Sequence, residues 1–244
     1  AAATLSDTFT VTTADGTSQV VTVTITGSND AAVISGTNTG AVTEAGGVAN
    51  ATAGTPTATG TLTSADVDGV TNAFTAVAAG TATTGGYGTY EMSAAGVWTY
   101  TLNDANATVQ ALAAAATLSD TFTVTAADGT SQVVTVTITG SNDAATISGT
   151  STGAVTEAGG VANATAGTPT ATGTLTSTDV DGTASSFTAV AAGTATTGGY
   201  GTYEMSAAGV WTYTLNDANS TVQALAAAAT LSDTFTVTTA DGTS

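Results

Sequence analysis

Carboxylates are the side chains of this sequence that can do chemistry near neutral pH. Its 244 residues include 18 Asp and Glu, with no Lys, Arg, His or Cys. Without His, Cys or Lys the chain has no base or nucleophile poised near pH 7, so only paired acids remain for catalysis. Asp66 and Asp68 form such a pair and recur as Asp179 and Asp181, but close neighbours on an exposed loop lack the burial that splits two carboxyl pKa values. No enzymatic activity is expected. The chemistry left to such acids is cation binding, since calcium takes about six to eight oxygens from carboxylates and carbonyls. Asp-Gly and Asn-Asp pairs are also ordinary turn formers, yet no basic residue is present to neutralise any of them. Two local calcium motifs fail. Asp66-Val67-Asp68-Gly69 lacks the third ligand and the distal Glu of an EF-hand loop, and Tyr90 stands where a glycine-rich toxin-type repeat needs Asp.

The formal charge of −18 argues against nucleic acid and against an anionic membrane surface as partners. Hydrophobic residues make up 42% and mean hydropathy is +0.27, so the chain has the apolar content to fold. Thiolate metal sites and disulfides are excluded. The longest apolar runs, such as residues 111–116, fall well short of the about 18 residues that suggest a membrane span, so no membrane insertion is expected in this fragment. An export signal or anchor is expected outside it. Asn50, Asn106, Asn163 and Asn219 open N-x-T sequons, as chance provides in a Thr-rich chain.

The elements that must position the acids are set by repetition. The segment TLSDTFTV begins at Thr4, Thr117 and Thr230, a period of 113 residues, and residues 4–116 differ from 117–229 at only nine positions. That period is too long for a solenoid and fits a whole domain. Residues 1–30 read as the closing hairpin of a preceding repeat, 31–143 as a complete repeat, and 144–244 as a second repeat lacking its last strand.

Within a repeat, Phe122, Val124 and Ala126 alternate with threonines, as do Val134, Val136 and Ile138. Both runs predict half-buried strands, and Asp128-Gly129 between them predicts a two-residue hairpin turn. Tyr90 and Met92, followed by Val97, Trp98 and Tyr100, predict a second hairpin; further strands are expected over 32–35, 41–44, 57–63 and 74–79. Residues 104–116 read as a short helical crossover capped by Asn103 or Asp104. About seven short strands with Gly-rich turns predict an all-β fold of tandem immunoglobulin-like or cadherin-like β-sandwich domains. The aromatic residues read as core, with a sugar-stacking platform as the alternative.

The segments TLTSADVDG, GTYEMSAAGVWTYTLNDANATVQALAA and TLSDTFTVTAADGTSQVVTVTITGSNDAA resemble the VCBS-type repeats of giant bacterial surface adhesins. The most specific pieces are W-x-Y-x-L followed by V-Q-A-L-A, and the closing V-T-I-T-G-S-N-D. The closing half is also similar to cadherins, in which acids gather calcium between domains. By that resemblance one junction would gather Asp7, Asn29, Asp30, Asp66, Asp68 and Asp128, and the next Glu44, Asp120, Asn142, Asp143, Asp179, Asp181 and Asp241. The resemblance implies an extracellular extender or stalk module on a bacterial surface, stiffened by calcium, whose partners are neighbouring repeats of the same chain. Two alternatives stay open: a self-assembling fibre or surface-layer subunit whose copies associate through strand edges, and a carbohydrate-binding module.

Overall fold

The computed structural model describes residues 3–69, 72–182 and 185–244. It divides into two compact units. One comprises Ala1–Val42, Thr57–Asn103 and Ser119–Thr137; the other comprises Thr43–Pro56, Asp104–Leu118 and Ile138–Ser244.

The first unit opens with a hairpin of β1 (Thr4–Thr12) and β2 (Ser18–Thr26), paired from Thr4↔Thr26 to Thr12↔Ser18. Then come β3 (Val33–Gly36), β4 (Thr39–Thr43), β5 (Thr57–Ala65), β6 (Val77–Ala82), β7 (Gly88–Met92), β8 (Val97–Leu102), β9 (Thr117–Thr125) and β10 (Ser131–Thr139). They form a five-stranded sheet, β3-β5-β8-β7-β6, and a three-stranded sheet, β4-β10-β9. The ladders of the five-stranded sheet are antiparallel, so each strand can bury one face and leave threonines on the other. The alternation in β9 and β10 follows the sequence: Phe122, Val124, Val134 and Val136 are buried.

The core is built around Trp98. Its indole N–H donates to the Thr37 carbonyl at 2.8 Å, and its ring meets Phe122 edge-on at 5.7 Å, while Phe122 stacks on Tyr90 at 4.3 Å. A buried indole with its donor satisfied leaves Trp98 itself no exposed face for stacking on a sugar. Gly60 pairs with Trp98 across β5 and β8, and a Cβ at Gly60 would stand 2.4 Å from the ring. Glycine at this position makes room for the ring.

The second unit repeats the larger sheet with β11 (Thr146–Gly149), β12 (Thr170–Thr178), β13 (Val190–Ala195), β14 (Gly201–Met205) and β15 (Val210–Leu215), in the order β11-β12-β15-β14-β13. Its core holds Leu175, Phe187, Met205, Trp211 and Tyr213.

Three local expectations need correction. The turn between β9 and β10 is longer than two residues: the Ala126 N–H donates to the Thr130 carbonyl at 2.8 Å, with Gly129 at φ 96°. That is a hairpin whose left-handed position calls for Gly. The crossover helix α1 (Ala107–Gln110) is a single turn capped by Asn106, whose Oδ1 accepts from the Thr108 and Val109 N–H groups. Asn106 is the residue that meets the first helical amides in extended geometry, and Val109 then fills the core. The strand expected over 74–79 starts at Val77, because Phe74 forms only a bridge to Ala126.

Gly60→Ala should lower stability by about 1–3 kcal/mol through overpacking against the indole, measured by chemical denaturation. An unchanged midpoint would mean that the ring is not held against β5.

Candidate functional site

The chain brings together, within the second unit, acids from three stretches distant in sequence. Glu44 follows β4, Asp143 follows β10, and Asp179 and Asp181 follow β12. Backbone bonds fix these loops on one another. The Glu44 N–H donates to the Thr139 carbonyl at 3.1 Å, the Gly47 N–H to the Asn142 carbonyl at 2.7 Å, and the Ala144 N–H to the Gly47 carbonyl at 3.1 Å. Gly46 has to be glycine for this docking, since a Cβ there would lie 2.7 Å from the Asn142 carbonyl oxygen.

Three of the carboxylates on these loops are buried. Glu44 is 1% exposed, Asp143 6% and Asp181 8%. The Ser141 N–H donates to Glu44 Oε1 at 2.9 Å, and the Asp143 N–H donates to Asp181 Oδ2 at 3.2 Å. Glu44 Oε2, both carboxylate oxygens of Asp143, Asp179 Oδ1 and Asp181 Oδ1 are buried with no hydrogen-bond partner. Burial pushes the Glu44 carboxyl up to about 7, helped by the charges of Asp143, Asp181 and Asp104. Burial first, then the charge of Asp179, also raises Asp143; burial and the neighbouring Asp181 and Asp241 raise Asp179.

Leaving buried carboxylate oxygens unpaired is expensive, and the usual remedy is a counter-charge. This donor set of unsatisfied hard oxygens suits calcium in chemistry. Among the described residues no group of three acids stands close enough to hold a metal ion.

The other expected ligands are engaged by hydrogen bonds of their own, although the charge of Asp241 still acts on Asp179. Asp241 takes the Ala145 N–H at 3.0 Å, the Thr243 hydroxyl at 2.7 Å and the Thr239 hydroxyl. Burial opposes ionisation of Asp241, but those donors overcome it and hold the carboxyl below its ordinary value. Asp128 likewise accepts from the Ala32 N–H at 2.8 Å and from Thr130, so both residues pin a strand start to a turn. The Asn142 side chain bonds back to the Asp143 carbonyl. Asp120, in the first unit, is buried and saturated: the Thr83 hydroxyl at 2.5 Å, the Tyr100 hydroxyl at 3.1 Å, and the Gly85 and Thr121 N–H groups all donate to it.

The acids expected with Asp7 are looser. The Asp30 N–H donates to Asp68 Oδ1 at 3.2 Å, and Asp66 Oδ1 receives the Asp68 and Gly69 N–H groups. Asp30 and Asp68 are exposed, the Asn29 side chain donates to the Asp30 carbonyl, and Asp7 on the hairpin accepts from the Thr8 N–H. One acid was missed. Asp104 was read only as a helix cap, but it receives the Ala45 N–H at 3.4 Å and its charge acts on Glu44. Its recurrence as Asp217, which accepts from the Ala158 N–H at 3.2 Å, was the available signal.

Two outcomes follow from this geometry. Asp120→Asn would turn an amide N–H₂ toward hydroxyl and amide donors. It should cost at least about 2 kcal/mol in denaturation without changing calcium affinity; weakened calcium binding in a folded variant would restore Asp120 to the ligands. Glu44 holds its proton more tightly in the folded state than at its ordinary 4.5, so its stabilising effect is complete below that value and fades as pH rises toward 7. Without divalent ions the melting temperature should therefore fall between about pH 5 and about pH 7, and Glu44→Gln should flatten the slope. The groups with lowered values, Asp15, Asp128, Asp233 and Asp241, act below 3.8 and outside this window. Equal slopes in parent and variant would remove Glu44 as the cause.

Comparison with known proteins agrees with the architecture. The model of the bacterial cadherin-like domain matches residues 29–140 and again 142–244. Among solved structures, the protocadherin gammaB4 extracellular domain is similar at 15% identity and a TM-score of 0.40, over 88% of this chain and 32% of that one. The chain thus spans about a third of that protein's length. No match was found among curated proteins. With two successive matches over almost all of its sequence, the chain belongs to the bacterial cadherin-like domain family.

Proposed function

We propose that this chain is an extracellular extender segment of a large bacterial surface adhesin built from VCBS-type repeats. In this reading calcium held by Glu44, Asp143, Asp179 and Asp181, with Asp104 adding charge, stiffens the passage from one repeat to the next. The observation that carries it is the set of buried, unpartnered oxygens on Glu44, Asp143, Asp179 and Asp181 in a chain with no cation of its own. A divalent ion would neutralise their repulsion and tie together loops that follow β4, β10 and β12. The same acids left without a cation would push those loops apart. The role is structural and not catalytic, in keeping with the absence of His, Cys and Lys from the sequence.

Calcium should raise the melting temperature relative to chelator, by the equivalent of about 2.7 kcal/mol at a hundredfold excess over Kd. It should also increase the maximum dimension in small-angle scattering, while circular dichroism shows little change in strand content. Asp179→Asn combined with Asp181→Asn should abolish both responses. Identical melting and scattering in calcium and in chelator would end the calcium reading and return these acids to the role of loop residues.

A further inference from the structure

One buried donor in the second unit is left unused. The crossover that carries α1 rests at both ends on the loop that begins with Glu44: the Ala45 N–H donates to Asp104 at 3.4 Å, and the Asn50 side-chain amide donates to Gln110 Oε1 at 2.9 Å. With its carbonyl held in this way, the Gln110 amide keeps its nitrogen, Nε2, buried and without a hydrogen-bond partner. Glu44 offers the complementary group. Its Oε1 accepts from the Ser141 N–H at 2.9 Å, while Oε2 is buried and unpartnered on a side chain that is 1% exposed. A buried donor and a buried acceptor left apart are each costly, and one bond between them would satisfy both.

The other copy of this loop and helix turn shows that the amide reaches the acid. The sequence TEAGGVANAT occupies residues 43–52 and again 156–165. There α2 (Ser220–Gln223) ends on Gln223, whose Nε2 donates to Glu157 Oε2 at 3.4 Å. We propose that Gln110 is a positioning residue of the acid site and a placeholder for its cation: Nε2 donates to Glu44 Oε2 while no cation is held, and a divalent ion displaces it. The structure contains the pair in both settings, joined at Glu157 and parted at Glu44. That an ion does the displacing rests on the calcium reading above; that the amide and the acid are partners does not. A neutral amide suits the task. It satisfies a carboxylate oxygen without cancelling its charge, so the attraction for a divalent ion survives, and it yields to an ion because its own hold is weaker. Asn50 turns the amide carbonyl aside, so that the donor end and not the acceptor end is free for the acid. Each binding event must break this bond, so Gln110 holds the loop in place at the expense of affinity.

Two measurements on the full chain test this. In chelator, the Gln110 side-chain amide signals in nuclear magnetic resonance, assigned by their loss in Gln110→Met, should lie apart from those of a solvated glutamine; Glu44→Gln and, in the parent, added calcium should each move them. In calcium titrations Gln110→Met should bind about threefold to tenfold more tightly than the parent, because no hydrogen bond to the acid has to be broken, although it melts at a lower temperature in chelator. A side chain that only packs would lower the melting temperature without tightening the ion, so equal or weaker affinity in Gln110→Met overturns the proposal. Amide signals indifferent to Glu44→Gln in chelator overturn it whatever calcium does. Signals that answer to Glu44→Gln but not to calcium, in a parent that melts alike with and without the ion, end the calcium reading and the displacement with it, and leave the amide as the standing partner of Glu44.

Discussion

The structure depends on how a chain without a single cationic side chain keeps its buried carboxylates. Burial of an ionised acid is tolerated only with donors or a counter-charge, and with no Lys, Arg or His the choice narrows to N–H and O–H groups or an ion from solution. Asp120 takes the first course with four donors, and Asp233 repeats it in the second unit with Thr196, Gly198, Tyr213 and Thr234. Burial opposes ionisation of Asp233, yet the donors outweigh it and its carboxyl stays below the ordinary value; the partner Tyr213 hydroxyl is pushed up to about 12. Glu44 and Asp143 have no such set of donors. Their upward shifts mark energy that the fold alone does not recover.

Identical sequence gives different environments at the two D-x-D pairs. Asp68 is exposed and Asp181 is buried, although both follow the same strand of their repeat. Asp181 receives the Asp143 N–H, and residues 43–56 and 138–143, which belong by sequence to the preceding repeat, group with it in the second unit. A repeat of this kind carries the acids of one site divided between its two ends. The site's charge is therefore a property of succession along the chain and not of any one repeat.

Much of this was legible in the sequence. Alternation along residues 121–126 and 134–139 identified buried positions because a strand's period of two leaves little freedom once one face is apolar. The period of 113 identified the domain scale. What was not legible was the assignment of individual acids. Asp120 lies within β9 and Asp143 in the loop after β10, and it is the distant hydroxyls of Thr83 and Tyr100 that saturate the first. Asp104 looked like a cap because Asn and Asp cap helices equally well, and the choice of Asn106 was settled by tertiary placement of Val109. The five-residue span of the Asp128 turn was equally a tertiary matter, since its carboxylate is also engaged by the Ala32 N–H.

Near-identity between repeats has a physical consequence for specificity. When β2 and β10 share one sequence, no side chain tells a slot which of them to accept; negative design through sequence differences is absent. The choice then falls to effective concentration, which favours the strand tethered next to its slot. Domain swapping is a characteristic failure of repeat proteins for this reason. The nine differences between repeats lie at Thr13, Val33, Asn38, Ala65, residues 70–73 and Ala107, and none falls within β2 or β10. Sequence identity has thus been kept in the closing strand, where exchange is possible, while variation has gathered mainly in loops and strand ends. In such a chain, correct closure rests on connectivity: each closing strand finds its own place in a sheet because it is nearest.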